Sequence, residues 1–142
     1  MELDKNRIAT GNTIEDKKAR KRFIKDFYKN WGILNPTKQI FNKSLNEYIN
    51  VRHISVEETS GQASIRYKST LALMFLSEIL KNAVTKGNPR NSDTTKDNQK
   101  GFEKIIIMEY TKPEFGKIKL IVGVKRGTKD KVQYCITAIE ND

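Results

Sequence analysis

Three segments near the carboxyl end constrain this chain more than any other feature: 102–111 (FEKIIIMEYT), 117–126 (KIKLIVGVKR) and 132–140 (VQYCITAIE). Each is rich in β-branched and aromatic residues, and the linkers Lys112–Gly116 and Gly127–Lys131 are short and turn-forming. Such linkers join antiparallel neighbours, so the segments predict a β-meander. Side chains alternate between the faces of a strand. Ile118, Leu120, Val122 and Val124 then share one face, as do Val132, Tyr134, Ile136 and Ala138, and these sets predict the core side. The other face collects Lys117, Lys119, Ile121, Gly123 and Lys125 beside Gln133, Cys135, Thr137 and Ile139, with Arg126 at the end of the strand. Gly123, lacking a side chain, would let another backbone come close.

A sheet with one apolar face needs a cover. The spacing predicts a helix over 70–85, capped by Ser69 or Thr70 and ended by Gly87 and Pro89. Leu71–Leu76, Ile79, Leu80, Ala83 and Val84 make it apolar nearly all round, the mark of a buried helix. Residues 1–12 read as a polar, flexible tail. Thr13 and Asp16 form a capping box for a helix over 14–31, with Ala19, Phe23, Ile24, Phe27, Tyr28 and Trp31 on its apolar side and Gly32 as its stop. Its opposite face carries Lys17, Lys18, Arg20, Lys21, Arg22 and Lys25. Pro36 suits the first turn of a second helix, 36–48, with Ile40, Phe41, Leu45 and Tyr48 as its stripe. Residues 50–56 read as a short strand, followed by a loop at Thr59–Gly61, and 87–100 as a long polar loop. The expectation is one α+β domain, 13–142, with helices on one side of a meander of three to four strands.

Charge directs the functional reading. Twenty-seven Lys and Arg face seventeen Asp and Glu in 142 residues, a net +10. Each cation that neutralises a phosphate releases a counterion, so such a chain is drawn to polyanions, of which RNA is the leading choice. On this reading the cations gather over the open face of the meander, where Lys119 and Lys125 meet phosphates. The competing reading is an ordinary solvated sheet face.

Several classes are excluded. One cysteine, Cys135, cannot form an internal disulfide. One histidine rules out a histidine-based metal site, and no Cys, Asp and Glu cluster has metal-ligand spacing, so neither metal nor cofactor is expected. Phosphate-loop, dinucleotide-turn and nucleophile-elbow motifs are missing. No run approaches the ~18 apolar residues of a membrane helix, and Met1–Thr13 lacks the apolar stretch of a signal peptide. A monomer acting in a cytoplasm, its own or that of a target cell, is expected.

Candidate chemistry centres on His53, between Arg52 and Ile54, and on Ser64–Thr70 at the entry of the apolar helix. Ser69 and Thr70 serve as caps there, and Arg66 and Lys68 would flank a phosphate at the helix start. Metal-free RNA cleavage needs a base for the 2′-hydroxyl, an acid for the leaving 5′-oxygen and cations for the transition state. His, Lys, Arg, Tyr and hydroxyl side chains can supply these.

Residues 50–140, about two-thirds of the chain, resemble the barnase–EndoU–colicin–RelE-like nucleases of phage polyvalent proteins and contact-dependent toxins. The resemblance rests on the apolar helix Leu71–Val84, the segment EILKNAVTKG, a polar loop, and the triplet FEKIIIMEYT … GKIKLIVGVKRGTKDKVQYCITAIE with its VGVKR strand. It implies helices on a curved four-stranded sheet, RNA in the concave groove, and metal-independent cleavage leaving a 2′,3′-cyclic phosphate. It also implies a histidine or basic residue ahead of the apolar helix, here His53 or Arg66/Lys68, and a hydroxyl on the last strand, here Thr137 or Tyr134. The expected catalytic set is His53, Lys68 and Thr137; the reading of the sheet face and of the helix start adds Arg66, Lys119, Lys125, Arg126 and Gln133 as residues that hold the nucleic acid. The chain departs from the two-histidine scheme, which leaves a His53-plus-lysine or a histidine-free one. The expected partners are RNA, above all tRNA, and an acidic immunity protein, which the charge of such a toxin would attract. The alternative is a basic module that binds nucleic acid without cleaving it.

Overall fold

A computed structural model describes residues 5–139. Its backbone is an α+β fold in which the expected meander is the middle of a larger sheet. β5 (Phe102–Lys112), β6 (Gly116–Lys125) and β7 (Lys131–Ala138) pair antiparallel in sequence order. Among the described residues the sheet has seven strands, in the order β1 (Gln39–Asn42), β2 (Glu47–Asn50), β7, β6, β5, β3 (Val84–Thr85), with β4 (Arg90–Asn91) also on β5, so the expected three to four are too few. β3 (Val84–Thr85) and β4 (Arg90–Asn91) are two-residue edge pieces.

Helices cover one face, as predicted. α1 runs Ile14–Leu34, three residues beyond its predicted end. The capping box is present: the Thr13 hydroxyl accepts from the Asp16 N–H at 3.0 Å and donates to the Asp16 carboxylate at 2.8 Å. Gly32 does not stop the helix, because Asn35 closes it by donating from both its backbone N–H and its amide to the Trp31 carbonyl. The helix expected over 70–85 is broken into α3 (Tyr67–Ala72), a 3-10 turn at Leu73–Phe75 and α4 (Leu76–Asn82). Thr70 is not its cap, since its hydroxyl bonds back to the carbonyls of Ala63 and Arg66. Ser69 accepts from the Ala138 N–H and so ties α3 to β7. Ile24, Tyr28 and Trp31 of α1 join Leu73, Leu76, Ile79 and Leu80 over Met108, Ile118, Leu120 and Ile136, all buried. Each such side chain contributes roughly 1.5–3 kcal/mol of transfer free energy.

Two predictions fail between residues 36 and 56. The expected helix 36–48 is a hairpin, β1 (Gln39–Asn42) and β2 (Glu47–Asn50), turning through Asn46 at a φ of 56°. The expected strand 50–56 ends at Asn50, and α2 (His53–Ala63) follows, absorbing the predicted loop at Thr59–Gly61. β2 pairs parallel with the start of β7, Ile49 opposite Lys131. Beyond that point α2 packs along β7 in place of another strand.

The segment read as a flexible tail is tied down from Ile8 onward. Ile8 is buried, and the fully buried Arg20 donates to the carbonyls of Ala9 and Gly11 at 2.7 Å and Ser64 at 2.8 Å. The prediction for residues 1–4, and for Glu140 in the last strand, lies outside the described residues.

One bulge corrects the predicted faces of β7. Ile121 lies opposite Cys135 but Val122 lies opposite Gln133, so Tyr134 is the extra residue. Alternation therefore flips. Gln133, expected on the open face, is fully buried on the helix side. It accepts from the Tyr28 hydroxyl at 2.8 Å and donates to Thr59 at 2.8 Å, while Ser55 bonds its carbonyl. Val132 and Tyr134, expected in the main core, join Phe102, Ile105 and Cys135 in a second apolar cluster. Nor is Gly123 open to an approaching backbone: the Phe102 ring lies where its Cβ would stand, 2.6 Å away.

Candidate functional site

The cations converge away from the sheet. On α1, Lys18, Lys21, Arg22, Lys25 and Lys29 are exposed and recur at helical spacing, a stripe about 16 Å long at 1.5 Å per residue. Its carboxyl end opens on a cleft of about 340 Å³ between α1 and the start of α2. Lys25, Lys29, Lys38, Arg52 and His53 line it, over a floor that includes Tyr28, Trp31, Val51 and Val56. Lys25 and Lys29 stand one turn apart, and the turn after α1 supplies Lys38. The extended residue before α2 is Arg52, and the first residue of α2 is His53. α2 begins here, so the partial positive charge of its amino end adds to the site.

Lys38 is held in an unusual way. Its φ is 51°, a left-handed conformation that costs an L-residue roughly 1–2 kcal/mol. Its N–H donates to the Asn35 carbonyl and its own carbonyl accepts from Val51, both at 2.8 Å. The aliphatic stem passes over Gly32, where a Cβ would meet Lys38 Cε at 3.2 Å. Gly32 thus gives room to the lysine. Among the described residues Lys25, Lys29 and Lys38 form no ion pair. Arg52 donates to Asp130 at 3.0 Å, and this bond holds the Asp130 carboxyl below its ordinary range. The His53 imidazole is 87% exposed, with its Nε2 3.7 Å from a Glu57 carboxylate oxygen.

The predicted site residues divide between places. His53 belongs to the cleft. Thr137 and Arg66 meet at a smaller pocket of about 210 Å³ with Gln62, Ile65, Ser69 and Ala138. Gln62 is nine residues along α2 from His53, about 14 Å, and His53 and Thr137 line different pockets. Lys68 is exposed on α3 and lines neither place. Lys119 is half-buried on the outer sheet face between Glu109 and Thr137. Lys125 is exposed at the end of β6. Arg126 is pinned through its Nε to the Lys100 carbonyl at 3.0 Å. Sequence reading missed Lys25, Lys29, Lys38 and Arg52 as site residues; the basic face of the first helix signalled Lys25 and Lys29, and nothing local signalled Lys38 or Arg52.

The outer sheet face is less basic than expected. Glu109 sits opposite Lys119 and lies 3.5 Å from Lys117. Burial, with Glu58 adding to it, pushes the Cys135 thiol up to about 12, which makes it a poor nucleophile. The Tyr134 hydroxyl donates to Glu58 at 3.0 Å, and burial followed by that carboxylate raises its pKa. Among the described residues no group of three His, Cys, Asp or Glu is arranged to hold a metal ion, and no helix is long and apolar enough to cross a membrane. No family model, curated protein or solved structure matches this chain.

Proposed function

We propose that this chain binds RNA, with backbone phosphates seated in the cleft between the carboxyl end of α1 and the amino end of α2. The observation that carries this reading is the convergence of Lys25, Lys29 and Lys38, unpaired among the described residues, with Arg52 at a helix start. Lys25, Lys29 and Lys38 repel one another in the free protein, with no carboxylate in an ion pair with any of the three among the described residues, and an arriving polyanion relieves this. The test is a titration of labelled tRNA at fixed salt. Lys25→Gln, Lys29→Gln and Lys38→Gln together should weaken binding at least about tenfold; unchanged affinity would remove the site.

Metal-independent cleavage of RNA, leaving a 2′,3′-cyclic phosphate, is a second reading with one observation in its favour. His53 stands at this cleft beside the Glu57 carboxylate, so a proton acceptor, a proton donor and transition-state cations share one place. Lys68 and Thr137 take no part in it. Incubation with total tRNA and a chelator should give fragments that His53→Ala no longer produces. Intact RNA after long incubation would leave binding alone.

A further inference from the structure

The β1–β2 hairpin carries a second surface that the cleft does not use. Phe41 and Tyr48 lie opposite each other across the strands, their rings edge to face with centroids 5.4 Å apart. They are 41% and 52% exposed, unlike most aromatic residues of the chain, which pack into the core. The same hairpin face presents Gln39 and Asn50, and the groove around it, about 630 Å³, reaches Lys129, Asp130 and Lys131. The Gln39 amide makes no hydrogen bond among the described residues, so its donor and acceptor are both available.

This groove adjoins the cleft. Lys38 lines the cleft and its chain neighbour Gln39 lines the groove. Arg52 lines the cleft, and Asp130, bonded to it at 3.0 Å, lines the groove. Lys38 and Phe41 are three residues apart with Gln39 and Ile40 of β1 between them, about 10 Å at strand rise. Exposed aromatic faces stack on unpaired bases whatever the base, and an amide can bond a base edge.

We infer that the Phe41–Tyr48 hairpin seats an unpaired base of a single-stranded RNA whose adjoining phosphates occupy the Lys25–Lys29–Lys38 cleft. The inference rests on the proposed phosphate site and adds the class of RNA: unpaired rather than duplex. A base stacks on an exposed ring of the pair, and Gln39 reaches its edge. In a duplex the bases are stacked on one another and present no free face.

The test uses the whole chain and three labelled probes, an eight-nucleotide oligouridylate, an abasic strand of the same length and a duplex, read by fluorescence anisotropy. The wild type should bind oligouridylate at least about fivefold more tightly than the abasic strand. Phe41→Leu with Tyr48→Leu keeps the hairpin apolar but removes both rings, and should abolish that preference while leaving abasic binding unchanged. The lysine triple variant should weaken both single strands alike. Equal wild-type affinity for oligouridylate and abasic strand, or a preference surviving in the double-leucine variant, overturns the base site and leaves the phosphate site standing. Tighter binding of the duplex than of oligouridylate overturns it too. Unchanged binding by the lysine variant overturns the phosphate site itself, and the base site with it. If the hairpin serves a protein instead, the double-leucine variant binds every probe as the wild type does, which again overturns the inference.

Discussion

Lys38 illustrates a local cost set against a local use. A left-handed φ suits glycine, and the strain at Lys38 places its ammonium at the cleft. Lys38→Gly should therefore raise stability by up to roughly 1 kcal/mol while weakening RNA binding, as read by urea denaturation and anisotropy on one sample. Loss of both, or of neither, would count against a strained functional residue. Cys135 supplies a pH signature. Its thiol ionises near 9 in an ordinary setting and near 12 when folded. Between those values the unfolded chain releases this proton first, so its contribution to stability is complete below pH 9 and declines as pH rises toward 12. Compared with Cys135→Ala, the wild type should lose stability progressively across that window in chemical denaturation, and a constant difference would contradict it.

At the level of elements, the capping box at Thr13, the meander and the polarity of β6 were all legible, because each is decided by near neighbours. The hairpin and α2 were not. Ile40, Phe41, Leu45 and Tyr48 suit a helical stripe, yet Phe41 and Tyr48 face outward as a cross-strand pair. Distant partners decide the outcome: β2 pairs with β7, and the buried Asn42 amide donates to the carbonyls of Leu80 at 2.8 Å and Ala83 at 3.0 Å. Its oxygen accepts from the Leu45 N–H and shapes the turn. Asn42→Ala should cost about 2–3 kcal/mol, because buried carbonyls at the end of α4 lose their donor. A shift in denaturation midpoint well under 1 kcal/mol would mean the hairpin is not anchored there. The bulge at Tyr134 was equally invisible, and it alone sends Gln133 into the interior. Of the candidate site, His53 was legible as the only histidine, whereas its neighbours come from three places in the chain.

For the molecule as a whole, the excess charge is not gathered over the meander, whose outer face mixes Lys117 and Lys119 with Glu109. Part of it forms an exposed row of cations along α1 that leads into the cleft. About four cations there predict a slope near −3 for log affinity against log salt with single-stranded RNA, steepening toward about −5 if Lys18, Lys21 and Arg22 also reach phosphates. Binding measured from 50 to 200 mM salt checks this, and the triple glutamine variant should flatten the slope by about 2. The floor of the cleft holds the one tryptophan in the chain, Trp31, whose indole N–H is fixed on Ser77 at 2.8 Å. An indole senses the field around it, so the protein is its own dosimeter. Arrival of a polyanion overhead should change the emission of unlabelled protein, and occupancy can be followed with light alone.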